Sequence, residues 1–407
     1  MTESGDRHDH GFKDRTRLDA ARSTLESHVD VVEGAETRSL QAADGRVLAE
    51  SIDAPTDVPR YPRAAMDGYA VRAEDTFGAS DRSPEYLQVV AENVGPNEAV
   101  RVHTGSELPD GADAVVMIEQ VESRGSDLEV FDAVAEGENV GPVGEDVEAG
   151  THLYDPGHRL RPSDLGLLKS VGIRTVSVRE RPTVAVIPTG EELVQSDPGP
   201  GEVIETNGLT VSHLVERWGA TPRYRDVVTD DEDALRSALE RDRDADILVT
   251  TGGSSVGARD LTPDVVEDLG EVLVHGVALK PGHPVALGRV DETPIVMLPG
   301  YPVSCIVNAM VLLRPAIAAA MGTTAIDPPS VSARLDRKIR SEPGVRTFAR
   351  VTLEREGEGW VAAPVSASGA GVLSTVALAD GWVTVPESRE GIPADRTVSV
   401  SRWEGMV

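Results

Sequence analysis

The chain has little that could cross-link it or hold it to a polyanion. It carries one cysteine, Cys305, in 407 residues. That excludes a disulfide framework and a cysteine-ligated metal site. Lysine is nearly absent: Lys13, Lys169, Lys280 and Lys338 are the only four, so 35 of the 39 basic residues are arginine. Against them stand 69 Asp and Glu, for a formal net charge of -30. Nucleic-acid binding needs basic patches to neutralise phosphates, and anionic lipid attracts basic clusters, so neither partner fits. Aromatics are 3% of the residues, which gives a lean core. The longest apolar run, 306–321, is cut by Arg314 and Pro315 and falls short of the roughly 18 residues of a membrane span. The first twenty residues are polar and charged, unlike a secretory signal. These absences predict a cytoplasmic protein with no nucleic-acid or membrane partner.

Hydrophobic residues make up 40% of the chain, enough to bury a large core, and the length fits roughly two to four domains. An acidic excess with arginine replacing lysine resembles proteins of a high-salt, halophilic cytoplasm. Molar salt screens charges to within about 3 Å, so a charge of -30 is compatible with a compact fold.

The pattern divides the chain into four segments. Residues 1–16 are a polar, mobile tail, whose His8 and His10 lack partner ligands. A helix is predicted over residues 18–32, from apolar Leu18, Leu25, Val29 and Val32. The rest of 17–180 reads as short strands and turns in two β-rich subdomains, with one further helix near 163–170. From 181 to 325 strands alternate with helices: TVAVIPT before 208–218, RYRDVVT before 232–241, DILVTTGG before 263–269, PIVMLPG before 302–320. Repeated β-α units imply a doubly wound, mainly parallel sheet with helices on both faces. Residues 328–407 are short strands again, the pattern of a small β-barrel. The predicted fold class is a multidomain α/β plus β protein: a β-rich irregular N-terminal half, a central doubly wound α/β domain and a C-terminal barrel.

In open α/β sheets ligands bind outside the carboxyl ends of the strands. Four strand ends here carry small, hydroxyl or acidic residues. They are Thr189-Gly190-Glu191-Glu192, Thr229-Asp230-Asp231, the loop Thr251 to Asp260, and Pro299-Gly300-Tyr301-Pro302-Val303-Ser304. The TTGGSSVG loop, with Gly252, Gly253, Ser254, Ser255 and Gly257, offers backbone N–H groups and hydroxyls to an oxyanion. Glu192, Asp230 and Asp260 each end one of these loops. Three carboxylates beside a phosphate repel one another unless a cation sits between them, and magnesium, held by one or two carboxylates plus phosphate oxygens, is the natural one. A single carboxylate in so acidic a chain more often caps a helix, so the inference rests on all three meeting. In Leu279-Lys280-Pro281-Gly282-His283-Pro284 a rare lysine sits in a rigid turn, where Lys280 and His283 can meet an anion.

Eight segments in this order resemble the molybdopterin molybdenumtransferase family, MoeA, which is related to the E domain of gephyrin. They are AMDGYAV (65–71), HTGSELPDGADAVVMIEQVE (103–122), GEDVEAG (144–150), PTGEEL (188–193), TNG (206–208), TTGGSSVGARD (250–260), LKPGHP (279–284) and LPGYPVS (298–304). The resemblance implies an elongated homodimer that inserts molybdate into adenylylated molybdopterin and releases AMP with Mg²⁺ assistance. It implies metal ligation by Glu192, Asp230 and Asp260. It implies catalytic roles for these three and for Asp67, Thr104 and Asp146, which would reach the cleft from the partner subunit. Substrate binding would fall to Thr189, Gly190, Gly252, Gly253, Ser254, Ser255, Gly257, Lys280, His283, Pro299, Gly300, Pro302 and Ser304. The chain departs from the common pattern at His283, where relatives carry a second lysine, and at Pro62, Ala64 and 366–375. A molybdopterin adenylyltransferase, a non-catalytic scaffold and a tungstate-handling enzyme are the alternative readings.

Overall fold

The structure, a computed structural model, describes residues 15–252, 261–365 and 371–404. The chain forms two compact units, one of Thr37–Val178 and one combining the described residues up to Glu36 with those from Arg179 onward.

In the first unit a six-stranded sheet runs Ala114–Met117, Gly68–Val71, Glu98–Val102, Glu85–Val90, Asp127–Val130, Val121–Arg124. Tyr69, Val71, Leu87, Val116, Leu128 and Val130 bury one face of it. A separate core of Leu40, Leu48, Leu160, Leu168 and Val178 forms around the helix Pro162–Ser170. The third residue of that helix is Asp164, a carboxylate only 2% exposed. It accepts from the Arg161 guanidinium at 2.9 and 3.1 Å, from the Arg161 N–H at 2.8 Å and from Tyr154 Oη at 3.2 Å, and lies 2.8 Å from His158 Nε2.

In the second unit, the sheet order is Thr221–Tyr224, Thr183–Pro188, Ile247–Thr251, Thr293–Leu298, Ala286–Val290, Gly270–His275. The first four strands are parallel, and the last two join antiparallel, so the sheet is mixed. Ala185, Ile187, Leu248, Ile295 and Met297 pack with Leu235 and Leu239 of the helix Glu232–Arg241 and with Val265 and Val266 of the helix Thr262–Leu269. Strand residues alternate between faces, so the equally buried Val184, Val186 and Val249 turn to the other side. The helix Asn207–Arg217 lies against their strands.

Three elements differ from the sequence reading. The edge strand is Thr221–Tyr224, which begins before RYRDVVT and ends inside it; beyond it Arg225 N–H still donates to Val186 O at 2.9 Å, while its guanidinium turns onto the buried Asp242. The first helix stops at Glu26. There Ser27 Oγ donates to Thr24 O at 2.8 Å, and the β-branched run after Val29 continues extended, with Val32 N–H on Ala320 O at 2.8 Å. The helical stretch Pro302–Ala320 contains a π turn at Ala309–Leu313. Pro315 has no N–H to return to the Val311 carbonyl, and Arg22 Nε donates to that carbonyl instead at 3.1 Å. This contact brings the helix Leu18–Glu26 into the second unit. The stretch Pro302–Ala320 is long and apolar enough to cross a membrane, but 89% of it is buried inside the protein as a core helix.

At the C-terminus, strands Arg346–Glu356, Gly359–Pro364, Ser330–Leu335, Thr397–Ser401 and Gly381–Val385 pair in that order, and the last pairs again with the first. The result is a closed five-stranded barrel filled by Leu335, Val351, Ala362, Val383, Val385, Val398 and Val400.

The Asp164 network makes the first unit acid-sensitive. The Arg161 guanidinium first, and then His158 and the Arg161 N–H, hold its carboxyl well below the ordinary range against the opposing effect of burial. A depressed folded pKa contributes stability above the unfolded value, about 3.9, and that stability is lost as pH falls below it. Asp164→Asn should therefore destabilise the first unit by about 2 kcal/mol at pH 7 in urea unfolding, and the gap to wild type should close below about pH 4. A gap that stays constant down to pH 3 would assign the loss to packing.

Candidate functional site

Register decides what meets at the sheet edge. Pro188 pairs with Thr251 and Thr251 with Leu298, so three adjacent parallel strands end level. Thr189, Gly252 and Pro299, the residues that follow, leave the sheet side by side. Thr189 extends the ladder by one bridge to Val228, and its N–H donates to Thr251 O at 3.3 Å.

The hydroxyls at this edge have nowhere to go. Thr189, Thr250 and Thr251 are 1%, 0% and 1% exposed. Their Oγ1 atoms have no hydrogen-bond partner among the described residues. Buried polar atoms are nearly always paired, so these hydroxyls, on the two faces of the sheet at its strand ends, are candidates to meet a ligand. Gly252 keeps the edge open. Its φ is +135°, and a Cβ there would stand 2.1 Å from Thr189 O. Gly253, Ser254, Ser255, Gly257 and Asp260 lie outside the described residues.

Of the three acids, Glu192 and Asp230 lie within the described residues. The Glu192 carboxylate folds back to 2.9 Å from the point where a side chain on Gly190 would begin. Asp230 is half-buried beside it. Burial first, then the charges of Glu192 and Glu191, push the Asp230 carboxyl above its ordinary range, against a Glu191 backbone N–H that lowers it. A half-buried carboxylate raised by burial and by neighbouring negative charge is what a divalent cation relieves. Among the described residues no three His, Cys, Asp or Glu side chains form a metal cage. The pair Glu192 and Asp230 fits the one or two carboxylates that hold Mg²⁺.

Pro299 and Gly300 lead into the helix that Pro302 opens at its first turn, and Ser304 is buried there. Gly300 sits on Gly252: a Cβ on it would meet the Gly252 Cα at 3.6 Å. Asn207 Nδ2 donates to Gly300 O at 2.7 Å and ties this loop to the helix Asn207–Arg217. Glu205, 4% exposed, accepts from Gly208 N–H at 2.6 Å and from the Tyr224 hydroxyl. A protein carboxylate therefore fills the N-terminus of that helix, which leaves anion binding to the strand ends. Asn207 lies in the TNG segment but was given no role there, and Glu205 went unnoticed in the sequence. The signal was an acid at the head of a predicted helix, one among 69 acids.

Lys280 Nζ pairs with Glu342 Oε1 at 3.1 Å. The His283 imidazole is pushed below its ordinary value by burial first and then by the charges of Arg15 and Lys280. In the other unit Asp67 Oδ1 accepts from the Thr104 N–H at 2.6 Å and the Thr104 hydroxyl at 2.9 Å. Those two bonds, backbone first, lower the Asp67 carboxyl. Asp146 is exposed, with its N–H on Val58 O at 2.9 Å. The fully buried Cys305 has its thiol pushed up by burial, which leaves it unreactive.

Fold and site define a multidomain protein whose mixed α/β sheet ends three level strands in small and hydroxyl residues, near the carboxylates Glu192 and Asp230. Comparison with known proteins gives the family. Residues 16–172 match the MoeA N-terminal region (domain I and II), 185–319 a probable molybdopterin binding domain, and 332–403 the MoeA C-terminal region (domain IV). A molybdopterin molybdenumtransferase of Bacillus subtilis is 32% identical over 87% of this chain and 86% of its own. Molybdopterin molybdenumtransferase 2 of Mycobacterium tuberculosis is 34% identical over 79% of this chain and 84% of its own. The crystal structure of the molybdopterin biosynthesis moeA protein from Pyrococcus horikoshii superposes with a TM-score of 0.80 at 32% identity, covering 95% of this chain and 100% of that one. The chain belongs to the MoeA family.

The two edge glycines should respond differently. Gly252→Ala forces the Thr189 carbonyl to move and is expected to cost about 1–3 kcal/mol. Gly300→Ala makes only an ordinary contact and should stay within about 0.5 kcal/mol of wild type. Thermal unfolding checks both. Equal losses would show that the edge is looser than drawn.

Proposed function

We infer that this protein is a transferase that inserts molybdenum into molybdopterin, a step of molybdenum cofactor biosynthesis. The observation that carries the reading is a chain holding the three MoeA regions in order, with two of the three level strands of its molybdopterin-binding part ending in hydroxyls that have no partner among the described residues.

The finer reading names the substrates and the division of labour. Adenylylated molybdopterin lies along the strand ends of the α/β domain, doubly wound in this reading. Molybdate enters by the loop Pro299–Ser304 and the turn at Lys280, and AMP leaves. Thr189, Thr251 and the Gly252 backbone hold phosphate oxygens, as rigid donors that need no reorganisation when charge develops. Glu192 and Asp230, with Asp260, would hold Mg²⁺, which supplies charge neutralisation and polarisation at the pyrophosphate. Water is limited at this edge by the buried threonines and by Asn207, which fixes Gly300 over Gly252. A homodimer in the cytoplasm belongs to the same proposal, with Asp67, Thr104 and Asp146 supplied by the second copy. Light scattering should then give twice the 43.2 kDa of one chain.

The assay is AMP release from adenylylated molybdopterin. Wild type should release AMP only when molybdate is present. Asp230→Asn and Glu192→Gln should each lower kcat about 100-fold or more, and Asp260→Ala should abolish insertion without unfolding the chain. Consumption of ATP with free molybdopterin would instead make the protein an adenylyltransferase. Near-normal cofactor formation by the Asp260 variant would remove the carboxylates from the mechanism.

A further inference from the structure

Aromatic side chains are scarce in this chain, and nearly all those described in the second unit are put to use there. Trp218, Phe348, Trp382 and Trp403 are buried, and Trp382 stacks on Trp403 with 5.3 Å between ring centroids. Tyr224 and Trp360 are partly exposed and have partners. Tyr224 donates its hydroxyl to Glu205, and the Arg355 guanidinium lies 5.9 Å from the Trp360 ring centroid. Tyr301 is the exception. It is 63% exposed, more than any of the others. Among the described residues its side chain makes no hydrogen bond, ring stacking or cation–π contact. It stands in the loop that leaves the third of the level strands, one residue beyond Gly300. Its backbone is fixed on both sides. Asn207 Nδ2 donates to Gly300 O at 2.7 Å, and Cys305 N–H donates to Tyr301 O at 2.9 Å. The residue before a proline is held extended, and Tyr301, before Pro302, has φ -71° and ψ 124°. The ring also has a wall. A Cβ on Gly371, between the barrel strands Gly359–Pro364 and Gly381–Val385, would stand 3.4 Å from Tyr301 Cδ1 and 3.7 Å from Cε1. A glycine at that place lets the barrel backbone come up to the ring.

We propose that Tyr301 is the platform on which the planar pterin ring of the substrate stacks. The proposal rests on the molybdenum-insertion reading for the identity of the ring. Aromatic rings prefer offset stacking on one another, and every planar heterocycle offers a face for it. A tyrosine supplies a large contact area through only two side-chain torsions. With its backbone already fixed, little freedom is left to lose when the ligand arrives. The choice between the two rings of the nucleotide follows from its chemistry. Molybdenum ends on the dithiolene sulfurs, which adjoin the pterin, whereas the adenine lies beyond the pyrophosphate. Tyr301 belongs to the loop Pro299–Ser304, where molybdate is proposed to enter, so the ring beside it is the pterin. Gly300, one residue back, lies against Gly252, which places the phosphates next to the platform and the adenine on their far side.

The test uses the full chain and initial rates of AMP release from adenylylated molybdopterin, with AMP added as a competing product. Tyr301→Leu should raise the KM for adenylylated molybdopterin about tenfold. Tyr301→Phe, which keeps the ring, should recover most of that loss. Inhibition by AMP, which carries no pterin, should stay within about twofold in both variants. An unchanged KM in Tyr301→Leu overturns the proposal. So does a Tyr301→Phe variant as impaired as Tyr301→Leu, which would assign the effect to the hydroxyl. An equal weakening of AMP inhibition would put the adenine on Tyr301 and overturn the choice of the pterin. If wild type releases no AMP, the insertion reading fails by itself, and calorimetry with molybdopterin alone still reads the platform. Weaker binding by Tyr301→Leu then supports it, and equal binding, or none by wild type, overturns it.

Discussion

Three neighbouring parallel strands ending at the same level are the constraint on which the site depends. The pairing Pro188–Thr251–Leu298 places the next residue of each strand at one edge, and everything proposed to touch substrate follows within a few residues of it. A one-residue slip in a strand sends every side chain to the opposite face. The register is held because both faces are buried: Ala185, Ile187 and Leu248 lie against two helices, and Val184, Val186 and Val249 against a third. The hydrophobic core thereby fixes the position of polar groups that contribute nothing to it. Among the described residues the buried hydroxyls of Thr189, Thr250 and Thr251 have no partner.

Charge is organised on the same principle. The chain is strongly acidic, yet its acids are not interchangeable. Asp164 is neutralised by Arg161 and closes a helix start. Glu205 is spent on the N-terminus of the helix Asn207–Arg217. Asp230 is half-buried, and burial first, then the charges of Glu192 and Glu191, make it harder to ionise. Across the turn Leu279–Pro284 the imbalance reverses, with Arg15 and Lys280 against Glu342.

Much of this was legible in local patterns. The helix expected at 232–241 is Glu232–Arg241, because its apolar spacing and the Asp231 cap are both local signals. The strand ends could be lined up by assuming parallel β-α units, and Thr189, Gly252 and Gly300 do adjoin. What escaped was set by distant partners. Pro315 suggested only an interruption, whereas the helix continues through a π turn because Arg22, far upstream, takes up the freed Val311 carbonyl. Lys280 was read as an anion holder, and the carboxylate that meets it, Glu342, belongs to the barrel 62 residues on. The antiparallel strands Gly270–His275 and Ala286–Val290 carry no sequence mark that separates them from parallel ones. Closure of the barrel depends on the pairing of Arg346–Glu356 with Gly381–Val385, a long-range contact that no local period records.

The central claim is that one sheet edge gathers a divalent ion and the phosphates of a pterin nucleotide. A crystal structure of the protein with AMP and Mn²⁺, located by its anomalous scattering, tests it most directly. The expected result is a metal peak between the Glu192 and Asp230 carboxylates, with a phosphate over the Gly252 backbone within hydrogen-bonding distance of Thr189 or Thr251. A metal bound elsewhere, or a nucleotide lying away from the ends of Thr183–Pro188 and Ile247–Thr251, would contradict it.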